Sequence, residues 1–204
     1  MKSVLVTGGT TRLGLAIAKR LRAAGWHVIT SSHRADAGAD IVADLSDPMG
    51  PARLYAAAMK ILDGNPPVAL VNNAGLFAGD EKTIRQVNLE APKKLIMLMA
   101  GRETERGAVV NVLDARSREG VYGRTKAELA DYTQKAAALF ADTLRVNGVA
   151  PGPVLVSPEV HEPAGETLLG RPTPEDVAQA VEFLLAARAT TGAVIPVDGG
   201  QGLL

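Results

Sequence analysis

The sequence has no cysteine, which excludes disulfides and thiolate metal sites together. Aromatic residues are scarce: three Phe, three Tyr and one Trp, with no cluster of aromatic and basic side chains. That argues against a surface for stacking nucleic-acid bases. No charge sign dominates either, since 22 Lys+Arg balance 22 Asp+Glu. The chain as a whole is therefore not drawn to nucleic acid or an anionic membrane, and any anion site must be local. His27, His33 and His161 are scattered without ligand spacing, so no metal is expected. The opening "MKSVLVTGG" is too short and too broken for a signal peptide or a membrane span. A cytoplasmic protein without membrane partners is the expectation.

What is present is a regular alternation. Short β-branched runs at 3–7, 27–31, 40–43, 68–72, 108–113, 144–150 and 193–197 read as strands. Several are continuously apolar, as strands covered on both faces are. Between them lie helical stretches at 12–25, 52–62, 88–100, 122–142 and 173–187. The last has a clear start, with Thr173 as N-cap, Pro174 in the first helical position, then Glu175 and Asp176. The pattern predicts an α/β fold, a doubly wound parallel sheet flanked by helices, and one domain over residues 1–204. The loops at 76–82 and 157–171 are the expected mobile segments, with Gly79, Gly165 and Gly170 as hinges.

"VLVTGGTTRLGLAIAKRL" is a strand, a glycine-containing turn and a helix. Gly8 and Gly9 let the backbone approach a ligand, and Gly14 lets the helix open close against the sheet. The free N–H groups and dipole of that helix start suit a pyrophosphate. On its own, the turn is equally a tight strand-to-helix connection.

Later motifs resolve that choice. "VNNAG" at 71–75, Asn88, "YGRTK" at 122–126, "VAPG" at 149–152 and "TGAVIPVDGG" at 191–200 follow the order of the short-chain dehydrogenases/reductases. The sequence resembles that family along nearly its whole length. The resemblance implies a Rossmann-like domain around a parallel sheet of about seven strands that binds NAD(H) or NADP(H). On the matching motifs, cofactor-binding roles fall to Gly8, Thr10, Leu13 and Gly14 of the first turn. They fall also to Asp44 and Leu45 beside the adenine, and to Asn73, Ala74 and Gly75 after the fourth strand. Tyr122, Lys126, Pro151, Gly152 and Val154 complete the set. Asp44 serves equally well as a strand-end acid capping the next turn.

One departure lies in the turn, where Arg12 occupies the middle glycine of the family's usual TGxxxGxG. An Arg in this place is similar to the pteridine reductase and dihydromonapterin reductase branch. NAD-binding members carry an acid at the end of the second strand. Here that place holds Ser32, followed by His33 and Arg34. A carboxylate would repel a 2′-phosphate, whereas Arg34 and Arg12 can pair with one. NADP(H) is the cofactor this implies.

Tyr122 and Lys126 stand at i and i+4, so they share a helix face and reach one ligand. An ammonium and a positively charged nicotinamide favour the phenolate, which brings a tyrosine toward useful acid–base chemistry. By resemblance Asn88 links the lysine to solvent through a water; its alternative role is a helix-interior Asn satisfied by backbone. Asp114 stands where most family members have a serine. A hydroxyl donates to a ketone oxygen as it gains charge, and an ionised acid cannot. Asp114 suits a substrate that offers N–H groups or gains positive charge, or it must be held protonated, or it only caps its loop. Pteridine reductases have an aspartate here.

The expected function is NADPH-dependent reduction of a small substrate, a pterin-type ring such as a dihydropteridine, dihydromonapterin or dihydrofolate. The alternatives are a carbonyl or 3-oxoacyl reductase, and a catalytically silent NADP-binding sensor. Three stretches run shorter than in ordinary members: from Asn73 to Asn88, from Asp114 to Tyr122, and the segment after Gly152. These cuts remove pocket walls and leave the cofactor motifs. A homodimer or homotetramer is expected, because apolar residues spread round the helix after Tyr122 beyond one stripe.

Overall fold

The computed structural model describes residues 2–101, 106–116, 119–154 and 165–204. Seven strands form one parallel sheet: β1 (Ser3–Thr7), β2 (His27–Ser32), β3 (Ile41–Val42), β4 (Ala69–Asn72), β5 (Gly107–Val112), β6 (Leu144–Pro151) and β7 (Val194–Val197). Their order is β3-β2-β1-β4-β5-β6-β7. The chain direction across the sheet reverses between β1 and β4, and the carboxyl ends there open a crevice. The expected strand at 40–43 pairs only at Ile41 and Val42. Asp40 instead turns its carboxylate onto Thr30, accepting from its N–H and its hydroxyl, both at 2.7 Å.

Alternate side chains of the strands feed two apolar layers. Val4, Val6, Val71 and Val110 face helices α1 (Arg12–Ala23) and α6 (Pro174–Ala186). Leu5, Leu70 and Val109 face α2 (Gly50–Ile61), α4 (Ala91–Ala100) and α5 (Gly120–Leu139). All seven are fully buried. Each such leucine or valine contributes about 1.5–3 kcal/mol over leaving it in water, so a one-residue slip of any inner strand is prohibitive.

Two polar devices tie the layers. Asn72 Nδ2 donates to Asn111 Oδ1 at 2.8 Å across the β4–β5 pair, and Asn111 Nδ2 donates to Thr133 Oγ1 of α5 at 2.9 Å. Arg145 of β6 runs under α6 and donates to the carbonyls of Leu184, Leu185 and Thr190 at 2.9, 2.8 and 3.2 Å. It satisfies orphan carbonyls of that helix end. The α6 start is a full capping box: Thr173 Oγ1 accepts from Asp176 N–H, and Asp176 accepts from Thr173 N–H.

The helix expected from Asn88 begins later. A short α3 (Glu81–Arg85), capped by Asp80, leads into a π turn over Gln86–Glu90, and α4 follows. Pro92 has no N–H to give the Asn88 carbonyl four residues back, so the ladder widens, with Ala91 N–H reaching Gln86 O. Of the apolar residues expected to spread round α5, Leu129, Ala136 and Ala137 are buried and Leu139 is 74% exposed. The loop expected at 76–82 ends at Asp80, the N-cap of α3, and includes Gly79 at φ 139°. In the loop expected at 157–171, positions 157–164, with His161, lie outside the described residues. Among the described residues, no helix is long and apolar enough to cross a membrane.

Candidate active site

A cleft of about 860 Å³ opens over the carboxyl ends of β1, β2, β4, β5 and β6. Its floor is the turn after β1. Gly8 holds φ 62°, and Gly14, in the first turn of α1, lies so close that a Cβ there would sit 2.0 Å from the Gly8 carbonyl oxygen. Asn73 fastens the turn from the next strand, its Nδ2 donating to the carbonyls of Thr7 and Gly8 at 3.0 and 3.1 Å. The N-cap residue Thr11 makes no side-chain bond to the α1 N-terminus, and no acid stands in its first turn. The helix start therefore presents its N–H groups and positive dipole end to the cleft.

Arg12 holds φ 49°, a left-handed conformation that costs a side-chain-bearing residue about 1 kcal/mol or more. This explains the glycine of the usual pattern at this position, where Arg12 instead lines the cleft. At the end of β2, Ser32 Oγ accepts from Arg34 N–H at 3.1 Å, and His33 and Arg34 line the same wall. Asp44 also lines it while accepting from Ser46 N–H at 2.8 Å, so this acid both caps its turn and faces the cleft. The Ser46 hydrogen bonds hold its carboxyl below the ordinary range.

The far end of the cleft brings together Asp114, Tyr122 and Lys126, the groups expected to carry the chemistry. Tyr122 and Lys126 project from one face of α5. The Tyr122 phenol donates to Asp114 Oδ2 at 3.2 Å, and its ring packs on Phe77 with centroids 4.7 Å apart. Asp114, its side chain only 8% exposed, also accepts from Arg116 N–H at 2.9 Å, with the Arg116 guanidinium 3.5 Å away. It thus caps its loop and holds the phenol at once. Lys126 is buried, donating to the Val112 carbonyl at 2.8 Å, with its ammonium 5.8 Å from the Tyr122 ring centroid. Burial pushes its pKa down to about 8, partly offset by the charge of Asp114.

Every residue expected in cofactor binding lines this one cleft: Gly8, Thr10, Arg12, Leu13, Gly14, Ser32, His33, Arg34, Asp44, Leu45, Asn73, Ala74, Gly75, Tyr122, Lys126, Pro151, Gly152 and Val154. Asp114 does too, and Asn88 does not. The Asn88 side chain is fully buried behind the wall, accepting from Leu76 N–H at 2.7 Å and donating to Leu76 O at 2.8 Å. Its amide is satisfied by the Leu76 backbone, with Thr125 Oγ1 a further acceptor at 3.5 Å, which is the backbone-satisfied alternative expected for this residue. Phe77, Arg116 and Arg171 line the reactive end without having been anticipated from sequence. Among the described residues, no group of His, Cys, Asp or Glu could hold a metal.

This sheet order, with the cleft at its switch point, is that of a dinucleotide-binding fold. The short chain dehydrogenase family model matches residues 2–166, and the chain belongs to the short-chain dehydrogenase/reductase family. Protein FixR of Bradyrhizobium diazoefficiens is 34% identical over 245 aligned positions, covering 99% of this chain and 87% of that protein. The alignment is longer than the 204-residue chain, in keeping with its shortened loops. The 3-oxoacyl-[acyl-carrier-protein] reductase MabA of Mycobacterium bovis is 29% identical, over 99% of this chain and 93% of its own length. The crystal structure of FolM alternative dihydrofolate reductase 1 from Brucella canis, complexed with NADP, superimposes with a TM-score of 0.87. It is 28% identical, over 99% of this chain and 94% of that one.

Proposed function

We propose that the protein is an NADPH-dependent reductase of a small pterin-type ring. The observation that carries the reading is the carboxylate of Asp114 on the Tyr122 phenol, at the position where a ketone reductase would offer a hydroxyl. The likeness to FolM, an alternative dihydrofolate reductase in complex with NADP, supports it from outside the chain.

The residues present fit the cofactor: the cradle that a Cβ at Gly14 would fill and the uncapped start of α1 suit a pyrophosphate. Ser32, Arg34 and Arg12 suit a 2′-phosphate, with no acid at the end of β2. When bound, NADPH supplies a hydride to the carbon of a ring C=N bond. As the electron pair of that bond moves to nitrogen, Tyr122 delivers the proton that nitrogen takes up. Lys126 would hold the nicotinamide ribose and restore the tyrosine's proton. Asp114 accepts from ring N–H groups and fixes the ring in the cleft. Phe77 offers a flat apolar surface beside Tyr122, suited to a planar heterocycle.

A 3-oxoacyl substrate suits the site less well. Its oxygen gains negative charge during reduction, and an ionised Asp114 faces that oxygen with repulsion where donation is needed. The test is NADPH oxidation with dihydrobiopterin, dihydrofolate, an acetoacetyl thioester and simple ketones side by side. Pterin turnover with little ketone turnover is expected. Turnover of ketones alone overturns the substrate, and tight NADPH binding with turnover of nothing favours a sensor.

We also propose a homodimer or homotetramer built on α4 and α5, where Met97 is 47% and Leu139 74% exposed. Light scattering that reports only monomer contradicts it.

A further inference from the structure

Arg34 closes the wall of the cleft at the end of β2, yet its guanidinium is already engaged. Nε donates to Asp36 Oδ1 at 3.0 Å and Nη2 to Asp36 Oδ2 at 2.8 Å. This is the two-pronged geometry with which an arginine takes a phosphate. Asp36 sits on the 3₁₀ turn Ala35–Ala37 and is not itself part of the cleft lining, whereas Arg34 is. Both partners are well exposed, with side chains 59% and 71% accessible, so the pair exchanges readily with an incoming anion.

We propose that Asp36 is a specificity-determining residue: it competes with the cofactor's 2′-phosphate for Arg34 and so limits how strongly the site prefers NADPH over NADH. The inference rests on the NADPH reading above. An arriving phosphate must either take the fork from Asp36 or share the guanidinium with it. In both cases the carboxylate remains covalently tied two residues away, a negative charge beside the anion. Arg34, through hydrogen bonding and charge, holds the Asp36 carboxyl below its ordinary range, so the competitor stays ionised near neutral pH. Of the other groups at this wall, Arg12 and His33 offset part of the carboxylate's charge without occupying its place on the Arg34 fork, and Asp44 is turned onto Ser46. Ser32 Oγ, by accepting the Arg34 N–H, keeps the backbone in place while the side chain exchanges.

The sign of one mutational effect decides the matter. Asp36→Asn keeps the size and the turn while removing the charge. A surface pair of this kind holds its arginine roughly two- to fivefold in favour of the paired state, and the lost repulsion adds a similar factor at low salt. NADPH should therefore bind about four- to twenty-five-fold tighter to Asp36→Asn, and NADH should change by less than about twofold. In an Arg34→Ala background the gain should shrink, because there is no fork left to release. Fluorescence titration of both cofactors against the parent, the two single variants and the double variant supplies all eight constants. Weaker NADPH binding by Asp36→Asn means that Asp36 orients Arg34 for the phosphate and overturns the proposal. So does an equal gain for NADH, or a gain undiminished without Arg34. Should the parent bind NADH as tightly as NADPH, the cofactor reading itself fails, an outcome separate from the sign of the Asp36→Asn effect.

Discussion

The phenol of Tyr122 donates to the carboxylate of Asp114 at 3.2 Å, from helix α5 to the loop two residues past strand β5. The two residues are eight positions apart, and the short connection between them turns both into one cleft. A carboxylate on a proton-delivering phenol orients it and accepts from substrate N–H groups, and it cannot donate to a growing oxyanion.

Removing the phenolic hydroxyl should abolish proton delivery while changing little volume. Tyr122→Phe is expected to lower turnover by about 10²–10⁴-fold with whatever substrate the parent reduces, as general acid–base contributions of this kind do. Steady-state NADPH oxidation measures it. A loss below about threefold would mean that the proton comes from elsewhere.

The buried Lys126 has a consequence for stability. Its ammonium is pushed from the ordinary 10.5 down to about 8 by burial. A lysine with a depressed folded value is penalised when charged, so it destabilises the cofactor-free fold below about pH 8. As pH rises from 8 to 10.5 the unfolded chain keeps the proton that the folded one has shed, and stability from this group rises. The rise is of order 3 kcal/mol for a shift of this size. Urea unfolding of the parent and of Lys126→Met at several pH values isolates it. The parent should gain relative to the variant across that window, and parallel curves would contradict the burial.

Arg145 tests the packing of α6 independently of chemistry. Its guanidinium serves three carbonyls and is 8% exposed. Arg145→Met should leave those acceptors without their donor and lower unfolding free energy by about 2–4 kcal/mol. Arg145→Lys should recover only part, because a lysine lacks the planar fork. A change under about 0.5 kcal/mol for the methionine variant would refute the role.

Much of this was legible in the residues. Continuous Val/Leu runs gave the strands, and the i, i+4 spacing put Tyr122 and Lys126 on one face. Thr173 with Asp176 announced the start of α6. The anomalous Arg12 was visible as a departure, but its left-handed φ of 49° needed the structure. Phe77 and Arg116 were not legible, because each stands in a shortened loop whose path depends on tertiary packing and has no period. The π turn had a local cue in Pro92, four residues after Asn88. Its effect was hidden because a proline there is equally compatible with a helix start, where its missing N–H costs nothing. The pairing of Arg34 with Asp36 is a contact between exposed side chains, and sequence spacing alone does not choose it over solvent.

We propose that the acid at 114 makes this a pterin reductase. The most direct measurement is the rate of NADPH oxidation by the parent and by Asp114→Ser, each with dihydrobiopterin and with a small ketone panel. The side chain sits in the loop just past β5, facing the cleft, so fold and NADPH binding should survive the change. Pterin turnover should fall by tenfold or more, the scale of losing a charged hydrogen bond in the site. Ketone turnover should emerge, because a serine hydroxyl can donate to the developing oxyanion. If Asp114→Ser reduces the pterin as fast as the parent does, Asp114 is a loop cap and the pterin assignment is wrong.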